Sequence, residues 1–251
     1  MRESYTKRFQ GAPWMVSSPI YGIVFGNGGI GSWTALFLSR TNIKLTVVDM
    51  DTIEALNIGG QAYPLSSIGD LKVHALTDLC TVFGGCTPYP VDQEVCPDFF
   101  VENLSMDFDS PIWISAFDNM KARKLLFQKW KELADKLEIS KLREEEPDLV
   151  KSGTLTPIFI DGRLTAETFQ VYSVTKAEDY KRFENTMFED DEVEDLPCSF
   201  KATSHCAGMI GSVITGLITN HITNCMEDKI IREVPFEIEM SMPLMLLTIE
   251  R

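Results

Sequence analysis

The chain has 251 residues, 44% of them hydrophobic, and a formal net charge of -14. That composition suits a soluble globular protein with a sizeable core. The acidic balance weighs against a nucleic-acid binder and against a protein that sits on anionic lipid, because both need clustered Lys and Arg to meet phosphate. A nucleotide is still within reach, since its phosphates can be met locally by backbone N–H groups, one or two cations and Mg²⁺. The six cysteines are Cys80, Cys86, Cys96, Cys198, Cys206 and Cys225. None forms a C-x-x-C pair, so no zinc is expected. The start, Met1 to Gln10, is polar and does not read as a signal peptide, and the thiols read as reduced in a cytoplasmic protein.

Taken in chain order, Ile20 to Phe25 is a short apolar run that stops at glycines and reads as a buried strand. Gly31 to Ser39 follows as a helix. Lys44 to Asp49 reads as a second strand, rich in β-branched residues. Ile68 to Phe83 has helical spacing, Pro111 to Ser115 is a further short strand, and Asn119 to Leu137 is an amphipathic helix. Alternation of this kind means parallel strands joined by crossover helices. The fold class is therefore α/β, a Rossmann-like doubly wound sheet. Pro157 to Ile160 and Phe169 to Val174 read as antiparallel strands with a tight turn at Gly162–Arg163. Glu144 to Asp148 and Glu189 to Asp195 read as solvated acidic loops. Ala207 to Ile222 falls short of the ~20 apolar residues that a membrane span needs and reads as a buried helix. Val234 to Ile249 adds a strand or two. A soft boundary near residue 150 separates a nucleotide-binding part, 1–150, from a continuation, 151–251, and both halves are expected to share one sheet.

The sharpest local motif is Gly26-Asn27-Gly28-Gly29-Ile30-Gly31. It fits G-x-G-x-x-G, follows a strand and opens a helix, which is the context the motif requires. Glycines let the backbone approach a phosphate without a Cβ in the way. The helix N-terminus then offers free N–H groups and the positive end of its dipole. Asp49 ends the second strand about 20 residues on, where a carboxylate can accept hydrogen bonds from ribose hydroxyls. The motif by itself does not choose among ATP, NAD and FAD.

The region after the second strand carries Asp49-Met50-Asp51, then Asn57 and Gln61, then Gly69-Asp70-Leu71-Lys72, and later Asp118-Asn119 with Arg123. This order of G-x-G-G-x-G, D-x-D, N-x-x-x-Q, G-x-x-K and D-N-x-x-x-R resembles the ThiF/MoeB/HesA adenylyltransferases and their ubiquitin-activating relatives. The resemblance covers residues 20 to 125, with a looser match from Cys198 to Asn220. Ile160-Asp161-Gly162-Arg163 and Leu196-Pro197-Cys198 look like ThiF-like proteins of phages and plasmids.

The resemblance implies ATP-dependent adenylation of the C-terminal carboxylate of a small ubiquitin-like or sulfur-carrier protein, with release of pyrophosphate. It also implies a homodimer, while the acidic balance already sets aside nucleic acid and membrane as partners. Gly26, Gly28, Gly29 and Gly31 would cradle the nucleotide. Asp49 would hold the ribose, Asp51 would belong to the cofactor site, Asn57 and Gln61 would line the nucleotide and phosphates, and Lys72 would meet the phosphate charge. Asp118 would hold Mg²⁺. Arg8 resembles the N-terminal arginine that a partner subunit contributes, and Arg123 is another candidate cation. Cys198, then Cys206, are candidates for a thioester.

The chain departs from the family at Gly60, where relatives carry an Arg beside the Gln. Glycine supplies no planar cation for phosphate. Two alternatives stand beside the adenylating enzyme, the first supported by Gly60 and the second by the shared fold. One is a catalytically weak or inactive nucleotide-binding scaffold, and the other is an NAD- or FAD-linked oxidoreductase.

Overall fold

The computed structural model describes residues 9, 11–15, 20–102, 111–142, 155–165, 168–189, 204–227, 232–242 and 244–251. Arg8 and Cys198 lie outside the described residues, as do most of the two acidic runs.

An eight-stranded sheet runs in the order β3-β2-β1-β4-β5-β6-β7-β8. Its first half is β1 (Ile20–Phe25), α1 (Gly29–Leu38), β2 (Ile43–Val48), α2 (Lys72–Gly84), β3 (Tyr89–Val91), α3 (Phe99–Glu102), β4 (Ile112–Ser115) and α4 (Met120–Leu142). Its second half is β5 (Ile158–Thr165), β6 (Thr168–Val174), α5 (Tyr180–Glu184), α6 (Ser204–Met226), β7 (Glu237–Ser241) and β8 (Leu246–Glu250). Strands β3, β2, β1, β4 and β5 are parallel. Strands β6, β7 and β8 add antiparallel pairs. Because β5 pairs directly with β4, the sheet continues across residue 150.

Alternation along the strands builds two cores, one on each face. Val24, Val47, Ile114 and Ile160 point to one face, where they meet α1 and α6 through Ile30, Ile210 and Ile214. Phe25, Trp113, Phe159 and Val174 point to the other, where they meet Phe127 and Trp130 of α4 and Phe183 of α5. The rings of Phe127 and Phe183 pack edge-on at 4.5 Å between centroids.

Some boundaries differ from the sequence reading, for local reasons. The helix expected from Ile68 begins only at Lys72. Leu65–Ser67 form a 3₁₀ turn, and Gly69 sits at φ +95°, a conformation no helix accommodates. Gly162–Arg163 is not a turn. Both residues lie inside β5, opposite Val171 and Gln170, and the hairpin closes beyond Thr165 and Thr168. Gly162 serves the helices instead, since a Cβ there would stand 3.0 Å from Ile30 and 3.3 Å from Ile214. β3 escaped the sequence reading because it is three residues long and contains Pro90, which an edge strand tolerates.

Gly208 and Gly211 of α6 face α1. A Cβ at Gly211 would stand 2.9 Å from the Thr34 N, so the glycine lets α6 pack against α1 within the chain. Gly216, by contrast, faces open space. Among the described residues no helix is long and apolar enough to cross a membrane.

Candidate functional site

The register of the parallel strands brings the carboxyl ends of β1, β2 and β4 level, with Phe25 opposite both Val48 and Ser115. The loops that follow these strands therefore share one edge of the sheet, where open α/β sheets bind ligands. Gly26 to Gly28 follows β1, Asp49 to Asp51 follows β2, and Ala116 to Asp118 follows β4.

The glycine loop is held from three sides. Gly26 takes φ +82°, and a Cβ on it would come 2.8 Å from the Ala116 carbonyl oxygen. A Cβ on Gly31 would overlap the Gly26 carbonyl oxygen. These two glycines are demanded by the turn itself. Gly28 and Gly29 differ. Nothing lies nearer to a Cβ on Gly28 than the Gln61 side-chain nitrogen at 4.0 Å, or to one on Gly29 than 3.8 Å. The open side of the loop is therefore at Gly28 and Gly29, where α1 begins.

Asp49 organises this edge. The N–H of Asn27 donates to Asp49 Oδ2 at 2.6 Å, and the N–H of Asp51 donates to Asp49 Oδ1 at 2.8 Å. Burial raises the Asp49 carboxyl above its usual range, while Lys72 and the two amides pull it back in part. Lys72, the first residue of α2, is buried. Its ammonium donates to Asp51 at 2.6 Å and stands 3.9 Å from Asp49. An antiparallel bridge between Thr52 and Leu71 brings the lysine to the Asp pair.

The segment from Ala55 to Tyr63 closes over the start of α1. The Trp33 indole N–H donates to the Gly60 carbonyl at 3.0 Å, and the Ala62 N–H donates to Ser32 Oγ at 3.0 Å. The buried Tyr63 hydroxyl donates to the Asn27 carbonyl at 2.7 Å. Asn57 spends its side-chain oxygen on the Glu54 N–H at 2.8 Å and so shapes this segment's turn. Gln61 Oε1 and both polar side-chain atoms of Asn27 are buried without a hydrogen-bond partner in the structure. Buried polar atoms rarely stay unsatisfied.

Asp118 is exposed at the end of β4. It does not cap α4, because Asn119 Oδ1 accepts the Ala122 N–H at 2.8 Å. Arg123 is no surface cation either. It lies in the buried stripe of α4 and donates to Asp161, to the Gly162 carbonyl at 3.0 Å, and to the Phe117 carbonyl. Asp161 is fully buried and also accepts from Arg163 Nε at 2.7 Å. This Arg123–Asp161–Arg163 triplet pins the loop that carries Asp118. Sequence reading did not find the triplet, although a charged residue in the apolar stripe of a helix is a signal that a buried partner exists. Tyr63 left no such signal.

The structure thus brings together Gly26, Gly28, Gly29, Gly31, Asp49, Asp51, Gln61 and Lys72, with Asn57 in the covering turn and Asp118 on the neighbouring strand end. Cys206 is buried in α6, on the helix that packs on α1. Among the described residues no group of three or more His, Cys, Asp and Glu is placed to hold a metal by itself.

A family model described as the ThiF family matches residues 20–238. Over 106 residues the chain is 34% identical to the tRNA threonylcarbamoyladenosine dehydratase of Haemophilus influenzae and 30% identical to that of Escherichia coli. The first match covers 41% of this chain and 40% of the relative, so the chain spans well under half of that protein. Among solved structures, PaaA superposes with a TM-score of 0.65 at 19% identity, covering 97% of this chain and 75% of PaaA. E. coli MccB, crystallised with ATP, superposes with a TM-score of 0.62 at 10% identity, covering 92% of this chain and 63% of MccB.

Proposed function

The chain belongs to the ThiF family, and on that premise we propose that it adenylates a carboxylate with ATP, the carboxylate being the C-terminus of a small ubiquitin-like or sulfur-carrier protein. The observation that carries this reading is the open cradle at Gly28 and Gly29, faced by the unsatisfied Gln61 and flanked by Asp49 and Lys72. ATP in the MccB crystal structure supports the choice of nucleotide.

In this reading the substrate carboxylate, already an anion, displaces pyrophosphate from the α-phosphate of ATP. No general base is needed, and catalysis is positioning with neutralisation of phosphate charge. The N–H groups opening α1 would receive phosphate oxygens. Asp49 keeps lone pairs for ribose hydroxyls while its bonds to Asn27 and Asp51 hold the loop. Lys72 would turn from Asp51 toward phosphate, and Gln61 would satisfy its amide on the nucleotide. Asp118 would hold Mg²⁺, which supplies charge neutralisation at the phosphates. Asp49, Asp51 and Asp118 outnumber Lys72 at this edge, so the phosphates call for that divalent cation. Arg8 of a second copy would add a further positive charge, in the role that Gly60 leaves unfilled. Cys198 would be the acceptor in any thioester step.

The names of the H. influenzae and E. coli relatives carry a second substrate class, a tRNA. The net charge of -14 weighs against a polyanionic substrate. Exchange of labelled pyrophosphate into ATP, driven by a ubiquitin-like C-terminal tail, tests the reading. Exchange with the tail supports it. Mg-ATP binding without exchange favours the scaffold, exchange driven by tRNA moves the reading to the second class, and stabilisation by NAD or FAD alone sinks it.

A further inference from the structure

The glycine loop between β1 and α1 is a short series of peptide planes. Each plane carries one C=O and one N–H that point in opposite directions, because the peptide bond is planar and trans. Holding one end of a plane therefore aims the other end.

The Gly26–Asn27 plane is held at both ends. Its N–H donates to Asp49 at 2.6 Å, and its carbonyl oxygen lies where a Cβ on Gly31 would have to stand. The Gly28–Gly29 plane is held by the first turn of α1, since the Gly28 carbonyl accepts the Ser32 N–H at 3.1 Å. The Asn27–Gly28 plane lies between these two, and neither Asp49 nor the helix reaches it. It is held instead by Tyr63, whose hydroxyl donates to the Asn27 carbonyl at 2.7 Å.

Tyr63 is 4% exposed, so its oxygen lies in the interior. The Gly28 N–H is on the far side of the same plane and is aimed away from that interior, toward the side where Gly28 is only partly covered. Among the described residues no acceptor takes this N–H. The plane needs a hold, because glycine on its far side offers little resistance to rotation. A flip would replace the donor at the cradle by a carbonyl oxygen, which repels phosphate.

The tyrosine suits this task. Burial, and then the neighbouring Asp49 carboxylate, raise its phenol well above the usual range, so it stays an O–H through neutral pH. The bonds from Trp33 to the Gly60 carbonyl and from the Ala62 N–H to Ser32 fix the segment that carries it.

We propose, on the nucleotide reading above, that Tyr63 is a positioning residue for phosphate binding. By holding the Asn27 carbonyl it aims the Gly28 N–H into the open cradle, where a nucleotide phosphate accepts it. Tyr63 itself touches no substrate atom.

The test is calorimetric titration of the full chain with ATP, AMP and adenosine, in wild type and Tyr63→Phe. The variant should lose about 10-fold in affinity for ATP and AMP, the worth of one hydrogen bond to a charged group, and keep its affinity for adenosine. Incorporation of 3-fluorotyrosine at position 63, which keeps the hydroxyl, should retain the affinity for all three. In wild type the Gly28 amide proton should move downfield in NMR spectra with ATP and AMP and stay in place with adenosine. A merely structural hydroxyl would weaken all three ligands alike, and that result overturns the proposal. So does an unchanged ATP affinity in a folded Tyr63→Phe. A Gly28 amide that ignores both phosphates overturns it even where Tyr63→Phe does not fold. Wild type that binds no phosphate-bearing nucleotide sinks both readings. NAD bound in place of ATP sinks the functional reading alone, and the same comparison with adenosine is then read for NAD.

Discussion

The backbone N–H of Asn27 donates to the Asp49 carboxylate at 2.6 Å, so the residue just after β2 holds the loop that follows β1. The other oxygen of the same carboxylate holds the Asp51 N–H at 2.8 Å. Asp49→Ala leaves the buried Asn27 N–H and the exposed Asp51 N–H without this acceptor, and an unmet buried donor costs about 1–3 kcal/mol. Urea unfolding of Asp49→Ala should show a loss of that size together with weakened Mg-ATP binding. An unchanged midpoint would mean that the carboxylate does not hold the loop.

The glycines divide into two groups with different expected phenotypes. Gly31→Ala drives a methyl into the Gly26 carbonyl oxygen, and overpacking of this kind costs about 1–3 kcal/mol. Its melting temperature should fall by several degrees. Gly28→Ala meets nothing closer than 4.0 Å. It should melt like the wild type and yet lose stabilisation by Mg-ATP, since the methyl enters the open cradle. Equal loss of fold in both variants would argue against a cradle at Gly28.

Asp118 and Asn119 separate in the same way. Asn119 is the residue that caps α4, and loss of a cap costs about 1 kcal/mol. Asn119→Ala should therefore destabilise by about that amount. Asp118→Ala removes no cap and should keep its stability, within about 0.5 kcal/mol, as is usual for surface changes. It should lose the metal-dependent part of ATP stabilisation, read by thermal melts with and without Mg²⁺. Retention of that part would move the metal site away from Asp118.

Removing Asp161 from the Arg123–Asp161–Arg163 triplet strands two buried guanidinium groups. Such losses cost about 3–5 kcal/mol. Asp161→Ala should show a drop in that range by denaturant titration, whereas Arg123→Leu leaves Asp161 paired with Arg163 and should cost less. A drop under about 1 kcal/mol in Asp161→Ala would show that water reaches the two arginines and that the Phe117 loop is not pinned.

The elements from β1 to α2 were legible because their signals are local. An apolar run ended by glycines, a β-branched run ended by Asp49, and the spacing to Lys72 each lie within about 20 residues. The ThiF resemblance over residues 20 to 125 named the glycine-loop residues, Asp49, Gln61 and Lys72 as site candidates, and the fold gathers them at one edge. Gly162 misled because a glycine in a strand pattern can mean a turn or a close approach, and only the positions of Ile30 and Ile214 distinguish the two.

By itself the sequence determined the fold class, which follows from periodicity and from short spacings that force backbone conformation, while the candidate site residues were marked out by a motif order that resembles the ThiF family. The tertiary structure alone decided that Gly28 and Gly29, rather than Gly26 and Gly31, are the open glycines. It also decided that Arg123 is spent on Asp161, 38 residues away, and that His221 meets Thr156, 65 residues away. Such pairings depend on which strands lie side by side and which helix face meets them. No local propensity encodes that, because the energy that selects it is the burial of whole faces against one another.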